Sequence, residues 1–237
     1  MSETVLSLKN VNGWYGESHV LHGVDLDVSR GEVVSLIGRN GAGRTTILRA
    51  IMGLLERREG RIELKGRDVS SAAPHRLARA GLGYCPEERG IFSTLTCEEN
   101  LLLPPVTRAG SGMIVPLSEI YEMFPNLAAR ARSPGTRLSG GEQQMLAIAR
   151  ILRTGADIML LDEISEGLAP VIVQTLARVI RELKSRGFTI VMVEQNFRFA
   201  APLADRFFII EHGRVIDVVQ QSDLAKRMDE IRRFLGV

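Results

Sequence analysis

At 237 residues the chain is long for one domain and short for two, which points to one α/β core carrying an inserted lobe. Thirty Lys and Arg against 28 Asp and Glu leave a net charge of +2, interspersed along the chain, so nucleic acid is not an expected partner. The first residues show no charged-then-apolar leader pattern and no apolar run approaches the ~18 residues of a membrane span, so any membrane role is expected to come through a partner.

In chain order, the opening stretch reads as short antiparallel strands. These are residues 5–8, then Val24, Leu26 and Val28 alternating with Asp25 and Asp27, and later Ile62 and Leu64. The runs at 33–37, 82–84, 158–161 and 189–193 are predominantly apolar, the pattern of a parallel sheet covered on both faces. Helical stretches such as 45–55 and 171–186 supply the crossovers that parallel strands require. Between about residues 88 and 154 the strand signals stop. Pro104, Pro105, Gly110, Gly112, Pro116, Pro125 and Pro134 punctuate short helical pieces there, which predicts an inserted helical lobe. Within it Ile120, Met123, Phe124 and Leu127 recur at helical spacing and read as lobe core. Near the end, residues 207–210 and 214–218 flank Glu211-His212-Gly213 as a hairpin. Cys85 and Cys97 read as two reduced thiols. His19, His22, His75 and His212 lack metal-ligand spacing and read as surface or packing residues.

The strongest local signal is Gly38-Arg39-Asn40-Gly41-Ala42-Gly43-Arg44-Thr45-Thr46, directly after an apolar strand and directly before a helix. That is the setting of a phosphate loop: glycines let successive N–H groups turn inward around phosphate oxygens, and the helix N-terminus adds a positive dipole end. Thr45 would place its hydroxyl on Mg²⁺. The motif expects Lys where this chain has Arg44, a planar fork in place of a compact ammonium. Asp162 and Glu163 follow the apolar run 158–161, at the carboxyl edge of a parallel strand where such folds bind ligands. Asp162 can hold Mg²⁺ through water while Glu163 orients and deprotonates an attacking water. Taken alone, Asp-Glu after a strand is equally a solvated helix cap.

Leu138-Ser139-Gly140-Gly141-Glu142-Gln143-Gln144 opens a helical run at 145–152. By itself Ser-Gly-Gly is commonly a helix cap. Here it lies between the phosphate loop and Asp162-Glu163, and in that order the chain resembles the ATP-binding-cassette ATPases over nearly its whole length. The resemblance implies a P-loop NTPase core with a parallel sheet, an N-terminal antiparallel β subdomain and an inserted helical lobe. Residues 1–88 and 155–237 would form the nucleotide-binding core and 89–154 the lobe. It also implies a head-to-tail pair of subunits, in which Ser139, Gly140, Gly141 and Glu142 approach ATP held on the phosphate loop of the other.

Further positions take roles from the same resemblance. Tyr15 falls where the family stacks an aromatic ring on adenine, while Trp14 beside it reads as sheet packing. Glu87, after Pro86, falls where most relatives carry a Gln that senses the γ-phosphate and Mg²⁺. Gln195 falls where most carry a switch His, and serves polarity and positioning because an amide cannot carry a proton. Glu166-Gly167-Leu168-Ala169 occupies a dimer-contact loop without its usual aspartate.

Pro86-Glu87, Val-Glu-Gln-Asn at 193–196, Gly-Leu-Ala-Pro at 167–170 and the closing Phe-Leu-Gly resemble the ATPases of branched-chain amino acid importers, with urea or amide importers closely similar. That resemblance implies ATP and Mg²⁺ as ligands and a peripheral place on the cytoplasmic face of the membrane. The expected partners are a second copy or a related ATPase, two membrane-spanning permease subunits and an extracytoplasmic solute-binding protein. Arg44 is not explained by the subfamily pattern and motivates a second reading, a nucleotide-binding subunit with little hydrolysis of its own. A soluble cassette of DNA repair or translation would carry two cassettes or a long coiled-coil insertion, and this chain has neither.

Overall fold

The computed structural model describes residues 3–104 and 114–235, so Pro105, Gly110 and Gly112 of the punctuated stretch and Gly236 of the closing motif lie outside it. Two long strands, β1 (Thr4–Tyr15) and β2 (Ser18–Ser29), pair antiparallel, and β1 pairs on its other edge with β4 (Arg57–Leu64), which carries the short β5 (Arg67–Asp68). Both strands outrun the apolar alternation that announced them. Asn10 at φ 50° and register shifts around it bend β1 through a polar stretch held by cross-strand bonds rather than by burial.

The second sheet is built on β3 (Val33–Ile37), whose five side chains are all buried. It pairs in parallel with β8 (Thr189–Val193), β8 with β7 (Ile158–Asp162), and β7 with β6 (Leu82–Cys85). On its other edge β3 takes a further parallel strand, β9 (Arg206–Glu211), and β10 (Arg214–Gln220) closes that edge antiparallel. The expected hairpin is therefore present and also extends the parallel sheet. Phe207, Phe208, Ile209 and Ile210 are all buried, as a strand covered on both faces requires.

Helix α1 (Arg44–Ile51) is shorter than the expected 45–55 because Gly53, at φ 68°, ends it. The Gly53 and Leu54 N–H groups donate back to Ala50 and Arg49, a Schellman stop. Then come α2 (Pro74–Arg79), α3 (Cys97–Leu102), α4 (Leu117–Met123), α5 (Pro125–Ala129) and α6 (Gly140–Leu152). From α3 to α6 the described residues form no strand, only an isolated bridge between Thr96 and Pro134. Ile120, Met123, Phe124 and Leu127 are buried, as the spacing predicts, in one apolar cluster with Met145 and Leu146 of α6 that runs on to Met159 and Leu161 of β7. Helix α7 (Pro170–Ser185) starts on a proline whose missing N–H costs nothing at that position and crosses from β7 to β8. Helices α8 (Phe197–Ala200) and α9 (Leu224–Leu235) complete the chain. Cys85 and Cys97 are buried free thiols, pushed up to about 12 and about 11 by burial, and are inert as nucleophiles.

Candidate functional site

Strand β3 delivers the chain at Gly38 into a loop that reverses through Gly41 and Gly43, the latter at φ 102°, a conformation that strains any residue with a Cβ. Gly43 caps α1 with no side chain of its own, so the first-turn N–H groups of the helix are left for an outside acceptor. Thr45, in the first turn of this helix, donates from Oγ1 to Asp162 Oδ1 at 2.9 Å. The last residue of β7, Asp162 is 1 % exposed, and Tyr84 of β6 donates to its other oxygen at 3.1 Å. Burial raises the Asp162 carboxyl above its ordinary value, and the Thr45 and Tyr84 bonds pull it back.

Glu163 stands one residue further, at φ 49°, a left-handed backbone for a non-glycine residue. Such strain persists only where the surroundings enforce it, and here the Glu163 N–H donates to the Val193 carbonyl at 2.9 Å and the Gln195 N–H donates to Glu163 Oε2 at 3.1 Å. The other carboxylate oxygen lies 2.8 Å from Arg44 Nη2, with both side chains buried. Burial raises the Glu163 carboxyl and Arg44 opposes the rise. Asn40, Gly41, Gly43, Arg44, Thr45, Thr46, Glu87, Glu163 and Gln195 share one cleft of about 350 Å³ with Val20 and Glu166.

Behind this cleft Glu194 is fully buried, and Ser165 donates to it from its N–H at 3.1 Å and its hydroxyl at 2.7 Å. Burial is the main cause that pushes the Glu194 carboxyl up to about 8. An unfolded glutamate ionises near 4.5, so the stabilisation from keeping this proton is fully present below about pH 4.5 and is lost as pH rises through about 8. Chemical unfolding at a series of pH values is expected to show stability falling across that window. Glu194→Gln should flatten the fall, and an unchanged slope in the variant would assign it elsewhere.

The chain does not bring every predicted residue together. Ser139, Gly140, Gly141 and Glu142 do not line the cleft. Ser139 caps α6 in a capping box, receiving the Glu142 N–H at 3.3 Å while its own N–H donates to the Glu142 carboxylate at 2.7 Å. The helix-cap reading of that motif therefore holds within one chain. Arg39 and Ala42 line a neighbouring cavity beside Glu211 and Phe234. Tyr15 lies 38 % exposed outside the cleft, where its hydroxyl accepts from Arg49 at 3.5 Å, and Trp14 stacks on His19 at 4.3 Å between ring centroids, as a packing residue would. Among the described residues no cluster of three or more His, Cys, Asp or Glu is placed to hold a metal. Tyr84, Ser165 and Glu194 were not singled out as site residues. The signal for Tyr84 was a hydroxyl in an otherwise apolar strand, and for Glu194 a carboxylate directly after one.

The ABC transporter family profile matches residues 21–166. The high-affinity branched-chain amino acid transport ATP-binding protein BraG of Pseudomonas aeruginosa is 39 % identical over 90 % of this chain and 91 % of its own. The lipopolysaccharide export system ATP-binding protein LptB of Haemophilus influenzae is 33 % identical over 98 % of each. A solved dimeric bacterial ABC transporter cassette superposes with a TM-score of 0.79 at 26 % identity, over 91 % of this chain and 98 % of that one. With the phosphate loop, the acidic strand end and the capped signature helix in place, the chain belongs to the ABC transporter family, as the ATPase that couples ATP hydrolysis to transport.

Proposed function

We propose that the chain energises uptake of branched-chain amino acids or similar small nutrients, and that its cleft hydrolyses ATP through the residues named above. The observation that carries the chemical half is the convergence of Thr45, Asp162 and Glu163 at the mouth of the phosphate loop, with 2.9 Å between the Thr45 hydroxyl and the Asp162 carboxylate. A hydroxyl and a carboxylate oxygen, free of nitrogen and sulfur donors, suit a hard cation that keeps several waters, so Thr45 and Asp162 fit Mg²⁺, with Glu87 close by. Bound there, Mg²⁺ would neutralise charge on the β- and γ-phosphates. Backbone N–H groups of the loop and α1 hold the phosphate oxygens. Glu163 accepts the proton of a water that attacks the γ-phosphorus as the bond to ADP breaks. Gln195 bonds the γ-phosphate region, and Tyr15 offers a face to adenine. Ser139, Gly140, Gly141 and Glu142 complete the site from a second subunit, an arrangement supported by their absence from the cleft lining of their own chain and by the dimeric relative.

The substrate half rests on the branched-chain resemblance of the sequence and on the likeness to BraG. The likeness to LptB keeps lipopolysaccharide export as the competing cargo. Among the described residues no helix is long and apolar enough to cross a membrane. The likeness to BraG supports a peripheral subunit on the cytoplasmic face, working with two permease subunits and a solute-binding protein. Uptake of labelled leucine in cells lacking this chain, with urea and a short-chain amide measured in parallel, tests the reading. Loss of leucine uptake, restored by the gene, is expected. Intact leucine uptake with failed urea uptake would move the protein to the urea and amide group. Defective surface lipopolysaccharide with normal uptake would make it an exporter.

A further inference from the structure

The departure at Arg44 has a structural counterpart. Its side chain is 6 % exposed, and one terminal nitrogen, Nη2, lies 2.8 Å from Glu163 Oε1 and 3.0 Å from Asn40 Oδ1. The other, Nη1, is buried with no hydrogen-bond partner. A guanidinium presents donors on more than one side of a rigid plane, whereas an ammonium is a single point of charge. The fork is thus half engaged by the hydrolytic carboxylate and half unspent in a cleft built for phosphate. Charge sharpens the conflict. Among the described residues lining the cleft, Glu87, Glu163 and Glu166 are acidic and Arg44 is the one cation.

We propose that Arg44 is a positioning residue shared between Glu163 and the nucleotide: it holds the Glu163 carboxylate, and an entering phosphate competes for the same guanidinium, so phosphate binding and release of Glu163 are coupled. A lysine at this position, as the motif expects, would give the phosphate a cation without the second arm that reaches the carboxylate. The negative charge of an incoming phosphate draws the guanidinium away from Glu163. The ion pair weakens at the moment the carboxylate is required as a base.

This inference rests on the cleft being the nucleotide site, and the test separates the two. Mg-ADP affinity, measured by calorimetry, avoids hydrolysis altogether. Removing the competing carboxylate by Glu163→Gln, or by Glu163→Ala as a second variant free of a replacement hydrogen bond, should tighten ADP about tenfold. Glu166→Gln, which removes a cleft charge that does not touch Arg44, should change it by less than about threefold. In an R44K background the gain from Glu163→Gln should shrink to less than about threefold, because the competition has been removed. An equal gain with arginine or lysine, or none in either Glu163 variant, overturns the shared-cation proposal while leaving the nucleotide site standing. Failure of the native chain to bind ADP at all overturns both.

Discussion

Glu163→Gln lowers steady-state Mg-ATP hydrolysis by the purified chain by about 10²- to 10⁴-fold, the range over which a positioned general base contributes, while nucleotide binding persists. The amide keeps the shape of the side chain and can still receive the Gln195 N–H that meets Glu163 Oε2 at 3.1 Å, so the loop is not expected to collapse. What it loses is the ability to take a proton. The carboxyl is suited to that task, since burial raises its affinity for a proton while Arg44 at 2.8 Å opposes the rise. The measurement is phosphate release at a chain concentration high enough for subunits to pair, because the signature residues lie outside the cleft of their own chain. Turnover in the variant within a few-fold of the native value would remove Glu163 from the role of base. Negligible turnover in the native chain itself would favour the reading as a binding subunit driven by an active partner.

Gly213→Ala is expected to cost about 3 kcal/mol or more and to lower the melting temperature by about 6–12 °C. The hairpin between β9 and β10 turns on His212 and Gly213, both at positive φ, the two-residue turn whose twist matches that of its strands. Added to this glycine, a Cβ would lie 1.8 Å from the Val20 carbonyl oxygen, a contact with backbone that no side-chain rotation relieves. The turn is also stitched at both ends. Its N–H donates to the Ala42 carbonyl of the phosphate loop at 2.8 Å, and its carbonyl receives the His22 N–H of β2 at 2.9 Å. Pushing the turn away from β2 therefore pulls on the loop, and nucleotide affinity should fall with stability. A melting temperature within a degree or two of the native one would show that the turn is free to move and does not brace the loop.

Legibility of the site divides along one physical line. Gly38 to Thr46, Asp162, Glu163 and the Leu138-Ser139-Gly140-Gly141 run were readable because each motif is local: glycines for positive φ, a helix start for anions, carboxylates where an apolar strand ends. The parallel strands were readable because a sheet buried on both faces keeps its runs almost wholly apolar: β3 and β8 each bury all five side chains, with Ser35 and Thr189 as their only polar residues. The Tyr84–Asp162 and Ser165–Glu194 bonds were not readable, since their partners stand 78 and 29 residues apart and meet only once β6, β7 and β8 are side by side. Gly213 looked like an ordinary hairpin glycine until the turn was seen against Val20.

By itself, the sequence determined the family, the order of motifs and the kinds of chemistry available, because those depend on which groups follow one another within a turn or a strand end. Only the tertiary structure decided that β9 joins the parallel sheet, that the signature residues stand apart from the cleft, and that Arg44 grips Glu163 across 119 positions of sequence. Such pairings are set by sheet order and burial, which local preferences along the chain do not encode.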